Sequence, residues 1–290
     1  MKKILFKKYS GAGNDFVLID EKDNNSFFLS EKILKKMCDR RRGIGADGVL
    51  LISESKKYDF ELRYYNSDGK LGSLCGNGSR CALKYVFNKI SNFSNNLVFE
   101  CEDKIYTGKI NTNNNITFFM QPPFDYRNKL EMEIDNQGIS KQKVFFDFIN
   151  TGSPHVVLNI DELQDEIKKN IGNNLHKLNV VEFGKQIRNN TNLFPEGTNV
   201  NFVQVKNDKV FIRTFERGVE DETLACGTGS VASAIILTLN KIISPPVELY
   251  TFGGDVLIVD FDIENKNIKN VSLTGQAIEI FTGEYLINEN

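Results

Sequence analysis

Cysteines stand at 38, 75, 81, 101 and 226, and two of them open the same five-residue string, C-G-x-G-S. The strings are Cys75-Gly76-Asn77-Gly78-Ser79 and Cys226-Gly227-Thr228-Gly229-Ser230. A helix-forming segment follows each, so helices are predicted over 78–89 and 229–241, with a cysteine where a turn feeds each one. A helix N-terminus carries about half a positive charge and several N–H groups without intrahelical partners. That field favours thiolate over thiol. The glycines let the backbone close on a ligand, and the unpaired N–H groups form an anion site. Such a cysteine can take or give a proton beside a bound carboxylate. A single string of this kind also fits a buried structural cysteine at a tight turn. Two strings at matching places in a repeat argue for chemistry.

The repeat extends beyond the motifs. From Arg63 the chain reads RYYNSDGKLGSLCGNGSRCALKY, and from Arg213 it reads RTFERGVEDETLACGTGSVASAI. A second pair is GNDFVLID at 13–20 and GSPHVVLNID at 152–161. Cys75 and Cys226 lie about half a chain apart in 290 residues, which predicts two copies of one α/β unit related by a pseudo-twofold. That period is too long for a solenoid. A pseudo-twofold would set the two helix ends facing each other. One thiolate would then take an α-proton while the opposite thiol returns a proton on the other face. This is stereoinversion at carbon, with helix-end N–H groups holding the enediolate-like carboxylate.

The elements that must position these groups read as an α+β chain with long sheets and few helices. Apolar runs of strand length, many rich in Val, Ile, Phe or Tyr, occur at 3–9, 16–19, 49–52, 60–65, 97–101, 116–120, 156–160, 200–205, 210–215, 247–252, 256–261 and 277–281. Further helices are predicted over 30–39, behind a capping-type Ser30, and over 161–169. Asn-rich tracts at 111–115, 188–192 and 264–270 read as turns and loops. Pro122-Pro123 reads as a domain hinge, because proline cannot sit in a central ladder.

Composition narrows the function. Lys plus Arg is 36 against 38 for Asp plus Glu, a net charge of −2. The basic excess of a nucleic-acid-binding surface is absent. No apolar run approaches the roughly 20 residues that span a bilayer, and MKKILFKK lacks the apolar stretch of a secretory signal. The expected compartment is the reducing cytoplasm, with free thiols. With two histidines, His155 and His176, and no C-x-x-C or H-E-x-x-H, no metal site is expected.

Competing motifs fail on context. Gly43 to Gly48 fits G-x-G-x-x-G but precedes a strand, where a dinucleotide fingerprint follows one, so it reads as a turn. Cys75 to Arg80 is one residue short of the C-x5-R phosphatase loop. Arg41-Arg42, beside Asp39, reads as a solvated helix end. Cys38, Cys81 and Cys101 read as packing residues. A lone histidine is more often structural, but His155 follows Pro154 in a repeated strand-opening motif and is assigned to the site.

The chain resembles the diaminopimelate epimerase family almost end to end. The motifs are GAGNDF (11–16), GIGADG (43–48), YNSDG and CGNGSRC (65–81), TGSPH (151–155), FPEGTNVNF (194–202), FERG (215–218), ETLACGTGS (222–230) and TFGGD (251–255). The resemblance implies cofactor-independent interconversion of LL- and meso-diaminopimelate, in lysine and peptidoglycan precursor synthesis, by a cytoplasmic homodimer. It implies two similar α/β domains, each a mixed sheet curled around a central helix: 1–122 joined by the C-terminal strand 277–290, and 123–276. By resemblance Cys75 and Cys226 are the acid/base pair. Asn14, Asn66 and Asn199 bind substrate. Gly76, Asn77, Gly227 and Thr228 supply helix-end amides. Glu216 assists at the reacting centre, Arg217 clamps the distal carboxylate, and His155 positions or polarises around a cysteine. Two positions depart from some relatives: Ser153 stands where they have Asn, keeping a shorter hydroxyl for substrate binding, and Gly48 stands where they have Gln. A racemase of proline-like acids and a binding module without catalysis are the alternatives. Arg217 and the asparagines favour a substrate with a second carboxylate and amine, and a dead module would be expected to have lost one cysteine.

Overall fold

The computed structural model describes residues 2–24, 29–72, 74–90, 95–136, 140–265 and 267–287. Ser73, two residues before the first cysteine motif, Lys266, in the last Asn-rich tract, and 288–290, at the end of the expected C-terminal strand, lie outside them. The chain divides into two compact units, residues 1–120 with 274–290, and residues 121–273. The first dividing point falls beside Pro122-Pro123.

The first unit contains β1 (Lys2–Gly11), β2 (Asn14–Asp20), α1 (Glu31–Cys38), β3 (Gly48–Ser53), β4 (Phe60–Asn66), α2 (Gly76–Lys89), β5 (Asn96–Cys101), β6 (Lys104–Ile110) and β7 (Ile116–Phe119). The late strand β17 (Ile278–Ile287) returns to it and pairs antiparallel with β1, from Lys2 opposite Ile287 to Ser10 opposite Ile278. β2 runs antiparallel to β1 and parallel to β3; β3 is antiparallel to β4; β4 is parallel to β5; and β6 and β7 continue antiparallel. Helix α2 packs against β17, β1, β2, β3, β6 and β7, so the sheet curls around it from one end of the strand order to the other. The sequence dictates this wrapping through side-chain alternation, since successive strand residues point to opposite faces. Phe16, Leu18, Leu50 and Ile52 join the core under α2 with Leu83 and Phe87. Their neighbours Val17, Ile19, Val49 and Leu51 join a second core with Leu34 and Met37 of α1. Strands buried on both faces read as continuous apolar runs, which is why β2 and β3 are plain in the sequence.

The second unit contains β8 (Phe124–Asn136), β9 (Ser140–Asn150), β10 (Pro154–Asn159), α3 (Asp165–Ile171), α4 (Val180–Arg188), β11 (Asn199–Lys206), β12 (Lys209–Glu216), β13 (Asp221–Thr223), α5 (Gly227–Leu239), β14 (Val247–Thr251), β15 (Val256–Glu264) and β16 (Asn267–Gly275). Its pairing repeats the first unit's. β9 is antiparallel to β10, β10 parallel to β11, β11 antiparallel to β12, β12 parallel to β14, and β14 antiparallel to β15. Helix α5 packs against β9, β10, β11, β14 and β15. Its residues 229–237 are all buried, as expected of a helix without a polar face.

Several expectations are corrected. Helices α2 and α5 begin at Gly76 and Gly227, two residues before the predicted starts, because the motif's first glycine already has helical geometry. The helix read over 161–169 is a single 3-10 turn, Ile160–Glu162, followed by α3; Leu163 lies between them with extended backbone. The 264–270 tract is not a loop throughout, since β16 begins at Asn267. The hairpin β8–β9 and helix α4 were absent from the sequence reading.

Helix α4 sits flush on β12 at Gly184, where an added Cβ would lie 2.4 Å from the Cβ of Phe215. Alanine gains at most about 1 kcal/mol of helix propensity there. Overpacking costs about 1–3 kcal/mol. Gly184→Ala should therefore lower the thermal midpoint by several degrees in a melt followed by circular dichroism; a higher midpoint would mean that the helix lifts off freely.

Candidate active site

Both motif cysteines are helix N-caps with extended backbone, Cys75 at φ −98°, ψ 119° and Cys226 at φ −123°, ψ 114°. The fifth motif residue explains itself. The buried hydroxyls of Ser79 and Ser230 each donate 2.9 Å back to the carbonyl of their own cysteine. The backbone N–H of each serine reaches the same carbonyl, at 2.8 and 2.9 Å. This clamps the peptide that carries the sulfur. At Cys75 the Gly78 N–H donates to Sγ at 3.5 Å, a contact that favours the thiolate. The Cys226 sulfur takes no such cap bond and lies 3.5 Å from the Thr228 hydroxyl.

The variable third position separates the two motifs. In the first unit, Asn77 is buried, donates 2.6 Å to Asn14 Oδ1 and accepts 2.9 Å from the fully buried Arg80. Asn14 in turn donates 3.2 Å to Asp47. Asp47 and Asp15 share Arg40, and Asp15 also pairs with the buried Lys8 at 2.8 Å. Burial alone would raise the Asp15 carboxyl; hydrogen bonds and charge from Arg40 and Lys8 overcome it and hold the group at about 2. The structure thus joins Cys75, Gly76, Asn77 and Asn14 through one network. Asn66, exposed at the end of β4, stands apart in a tight turn, its amide against Gly72. Gly48 has no room for a longer side chain, since a Cβ there would lie 2.5 Å from the Tyr64 ring and from the Tyr65 carbonyl.

In the second unit, Ser153, His155, Asn199, Arg217 and Thr228 form one connected set with Cys226. The His155 Nε2 lies 2.9 Å from both the Ser153 and Thr228 hydroxyls. Asn199 donates to the Pro154 carbonyl at 2.9 Å and accepts the Arg217 backbone N–H at 2.9 Å. The Arg217 guanidinium donates to the Glu196 carbonyl and remains half-buried. Glu216 accepts 2.8 Å from Thr223. His155 is completely buried, and burial, with the field of Arg217, pushes its pKa down to about 3. It is therefore a neutral imidazole.

The sequence reading missed Asn201, whose amide touches His155 Nδ1 at 3.2 Å, and Thr214, which donates 2.9 Å to Asn201. The signal was present: Asn199 and Asn201 alternate with Val200 and Phe202, so two polar side chains share one face of a buried strand. It also missed Asp15, Arg40 and Asp47, which meet only in three dimensions. The arginines that open the repeats are structural. Arg63 reaches Glu21 and Ser53, while Arg213 holds Glu222 and the carbonyls of Leu175 and Leu178. Cys38, Cys81 and Cys101 are buried, and burial raises their thiols to about 11, 12 and 12. No group of three or more metal-ligating side chains occurs among the described residues, and no described helix is long and apolar enough to cross a membrane.

Strand pairing and a central helix in each unit define a two-domain mixed-sheet fold shared with solved proteins. One is a phenazine biosynthesis protein of the PhzF family from Bacillus anthracis, with TM-score 0.72, 15% identity and coverage of 99% of this chain and 100% of that one. Another is a hydroxyproline epimerase from Agrobacterium vitis, with TM-score 0.70, 14% identity and coverage of 98% and 92%. At the level of sequence, residues 6–124 and 148–279 match the diaminopimelate epimerase family. The diaminopimelate epimerase of Chlorobaculum tepidum is 39% identical over 277 residues, 94% of this chain and 98% of that protein. The chain belongs to the diaminopimelate epimerase family of isomerases.

His155 links the site to stability. Its folded pKa lies below the unfolded value, so at acid pH the unfolded state binds the extra proton. Stability is complete above about 6.5 and is lost as pH falls from there toward 3. Asp15, also depressed, adds a loss below about pH 4. Thermal midpoints measured from pH 7 to 4 should fall steadily, and His155→Asn should fall less over the same range. Equal slopes would show that His155 titrates normally.

Proposed function

We propose that this chain epimerises LL-2,6-diaminopimelate to meso-diaminopimelate by two-base proton transfer between cysteine sulfurs, without cofactor, in lysine and peptidoglycan precursor synthesis. The observation that carries this reading is the doubled motif: both cysteines are intact, and each caps a helix in a chain of this family. The reading includes a homodimer in the cytoplasm.

In this mechanism one cysteine thiolate takes the α-proton and becomes a thiol. The C–H electron pair passes into the carboxylate, giving an enediolate-like species. The other cysteine's thiol delivers its proton to the opposite face and is left as thiolate. The α-proton of an amino acid is weakly acidic, so stabilising the developing charge is the largest demand. The helix-end amides of Gly76, Asn77, Gly227 and Thr228 are suited to that task. Asn14, Asn66, Ser153 and Asn199 orient the substrate's polar groups, Glu216 assists at the reacting centre, and Arg217 forks the distal carboxylate. His155, buried and neutral, acts through Thr228 on Cys226.

The deciding experiment follows deuterium from solvent into LL-diaminopimelate with purified protein. Incorporation at the α-carbon with formation of the meso isomer is expected, unchanged by exhaustive chelation, with no exchange into proline. Exchange into proline alone, or loss with a chelator and recovery with metal, would overturn the reading. Cys75→Ala and Cys226→Ala should each cut epimerisation at least about 10²–10⁴-fold, the usual worth of a general acid or base. Substantial turnover in either would exclude two-base chemistry. Arg217→Lys keeps the charge and loses the planar fork. A hydrogen bond to a charged group is worth about 1.5–3 kcal/mol, so the KM for diaminopimelate should rise roughly 10- to 100-fold; an unchanged KM would remove Arg217 from the clamp.

A further inference from the structure

Beneath Cys226 the second unit buries a polar line at positions where the first unit has Phe16, Gly48 and Leu50. On β10 and β11, His155 is paired in register with Asn199, and the corresponding pair on β2 and β3 is Phe16 with Gly48. Two residues beyond Asn199 stands Asn201; two beyond Gly48 stands Leu50. One cysteine helix therefore rests on Phe16 and Leu50, the other on His155 and Asn201. Asn201 is fully buried and sits so close to α5 that a Cβ on Gly229 would lie 2.2 Å from its Oδ1. The motif's second glycine is what admits it.

Hydrogen-bond logic fixes the imidazole proton on this line. The Val156 carbonyl can only accept, and the Asn201 atom 2.8 Å from it must therefore be Nδ2. The Asn201 Oδ1 accepts from Thr214. The second Nδ2 hydrogen points to His155 Nδ1 at 3.2 Å, which must then be the lone-pair nitrogen. A neutral imidazole with an acceptor at Nδ1 carries its proton on Nε2. That N–H donates to the Thr228 and Ser153 hydroxyls. Thr228, with one acceptor site filled, has its single proton to give either to the Ser153 hydroxyl at 3.2 Å or to the sulfur at 3.5 Å, and a thiolate sulfur, being charged, is the stronger acceptor. In the opposite tautomer Nε2 would itself accept and would draw that proton off the sulfur.

We propose that Asn201 is a positioning residue that sets the Nε2–H tautomer of His155 and thereby aims the Thr228 hydroxyl at Cys226. The proposal rests on the reading that Cys226 is one of the two acid/base groups. Arg217 is the charged group whose field reaches His155, and it disfavours the imidazolium that would blur the relay. The two sulfurs then differ in kind: a backbone N–H serves Cys75, and a histidine-oriented hydroxyl serves Cys226.

The chain's two histidines make a direct test practical. In 15N-labelled protein, long-range 1H–15N correlation at pH 7 should show His155 as the Nε2–H tautomer, apart from the exposed His176. Asn201→Leu should add an Nδ1–H population and lower kcat roughly tenfold, the worth of one hydrogen bond to a charged sulfur, with KM little changed. Thr228→Val should lower kcat similarly, and Thr228→Ser should restore it. An Nδ1–H tautomer in the unmodified protein overturns the proposal, as does a folded Asn201→Leu with the original tautomer or original kcat. Should Asn201→Leu fail to fold, the unmodified spectrum and the Thr228 pair still decide. A protein that exchanges deuterium but shows the wrong tautomer refutes only this inference; one that exchanges none refutes the epimerase reading.

Discussion

The N-cap position of a helix governs this molecule. A residue there must keep extended backbone while its carbonyl already accepts the first helical hydrogen bond, and its side chain stands against N–H groups that the helix leaves unpaired. Ser, Thr, Asp and Asn normally fill it. Here cysteine fills it twice, and the rest of each motif is what cysteine needs in that place. The glycines let the sheet and its side chains approach, and the buried serine four residues after each cysteine secures the cap carbonyl. Each sheet curls around its own cysteine helix, which is buried over most of its length. The sulfur is the fixed point of its unit.

Two such units with one strand order need not be chemically alike, and these are not. The first reaches its motif asparagine through charges: Arg80 behind Asn77, then Asn14, then the pairs of Asp15 and Asp47 with Arg40 and Lys8. The second reaches its motif threonine through neutral groups: Ser153, His155, Asn201 and Thr214. The same fold positions one sulfur with an ionic network and the other with an uncharged one. Burial explains the choice. A fully enclosed imidazole is cheaper neutral than charged, and here it has Arg217 nearby as a further reason to shed its proton.

Much of this was legible in the chain. The C-G-x-G-S pair, the matching strands before it and the apolar β2, β3 and β11 all carry local signals. What was illegible had non-local causes. Strand β8 is a different case: FDYRNKLEMEIDN sets apolar residues at 124, 126, 130, 132 and 134 against polar neighbours, so its period was readable, and only the register slips on either side of Arg127 are without a local mark. Helix α4 is short and carries Gly184 because it must lie against Phe215. The Asp15–Arg40–Asp47 cluster joins residues up to 32 apart in sequence and has no motif. Asn201 was readable as a second polar residue on a buried strand face, and its significance needed the ring beneath it.

The returning strand β17 has a consequence for biosynthesis. Residues 121–273 are contiguous, so the second unit has all of its chain when Leu273 leaves the ribosome. The first unit does not: β1 has β2 beside it early, but its other antiparallel neighbour lies in residues 278–287, translated after the whole second unit. The usual order, in which the N-terminal domain completes itself before the next is made, is reversed here. Until residues 278–287 emerge, Lys2–Gly11 keeps one edge open, the condition in which strands pair with the wrong partner. Two lysines four residues apart on one face of that strand, Lys3 and Lys7, later matched by Glu284 and Glu279, give the waiting edge a charge that repels its own kind and is neutralised by its proper mate.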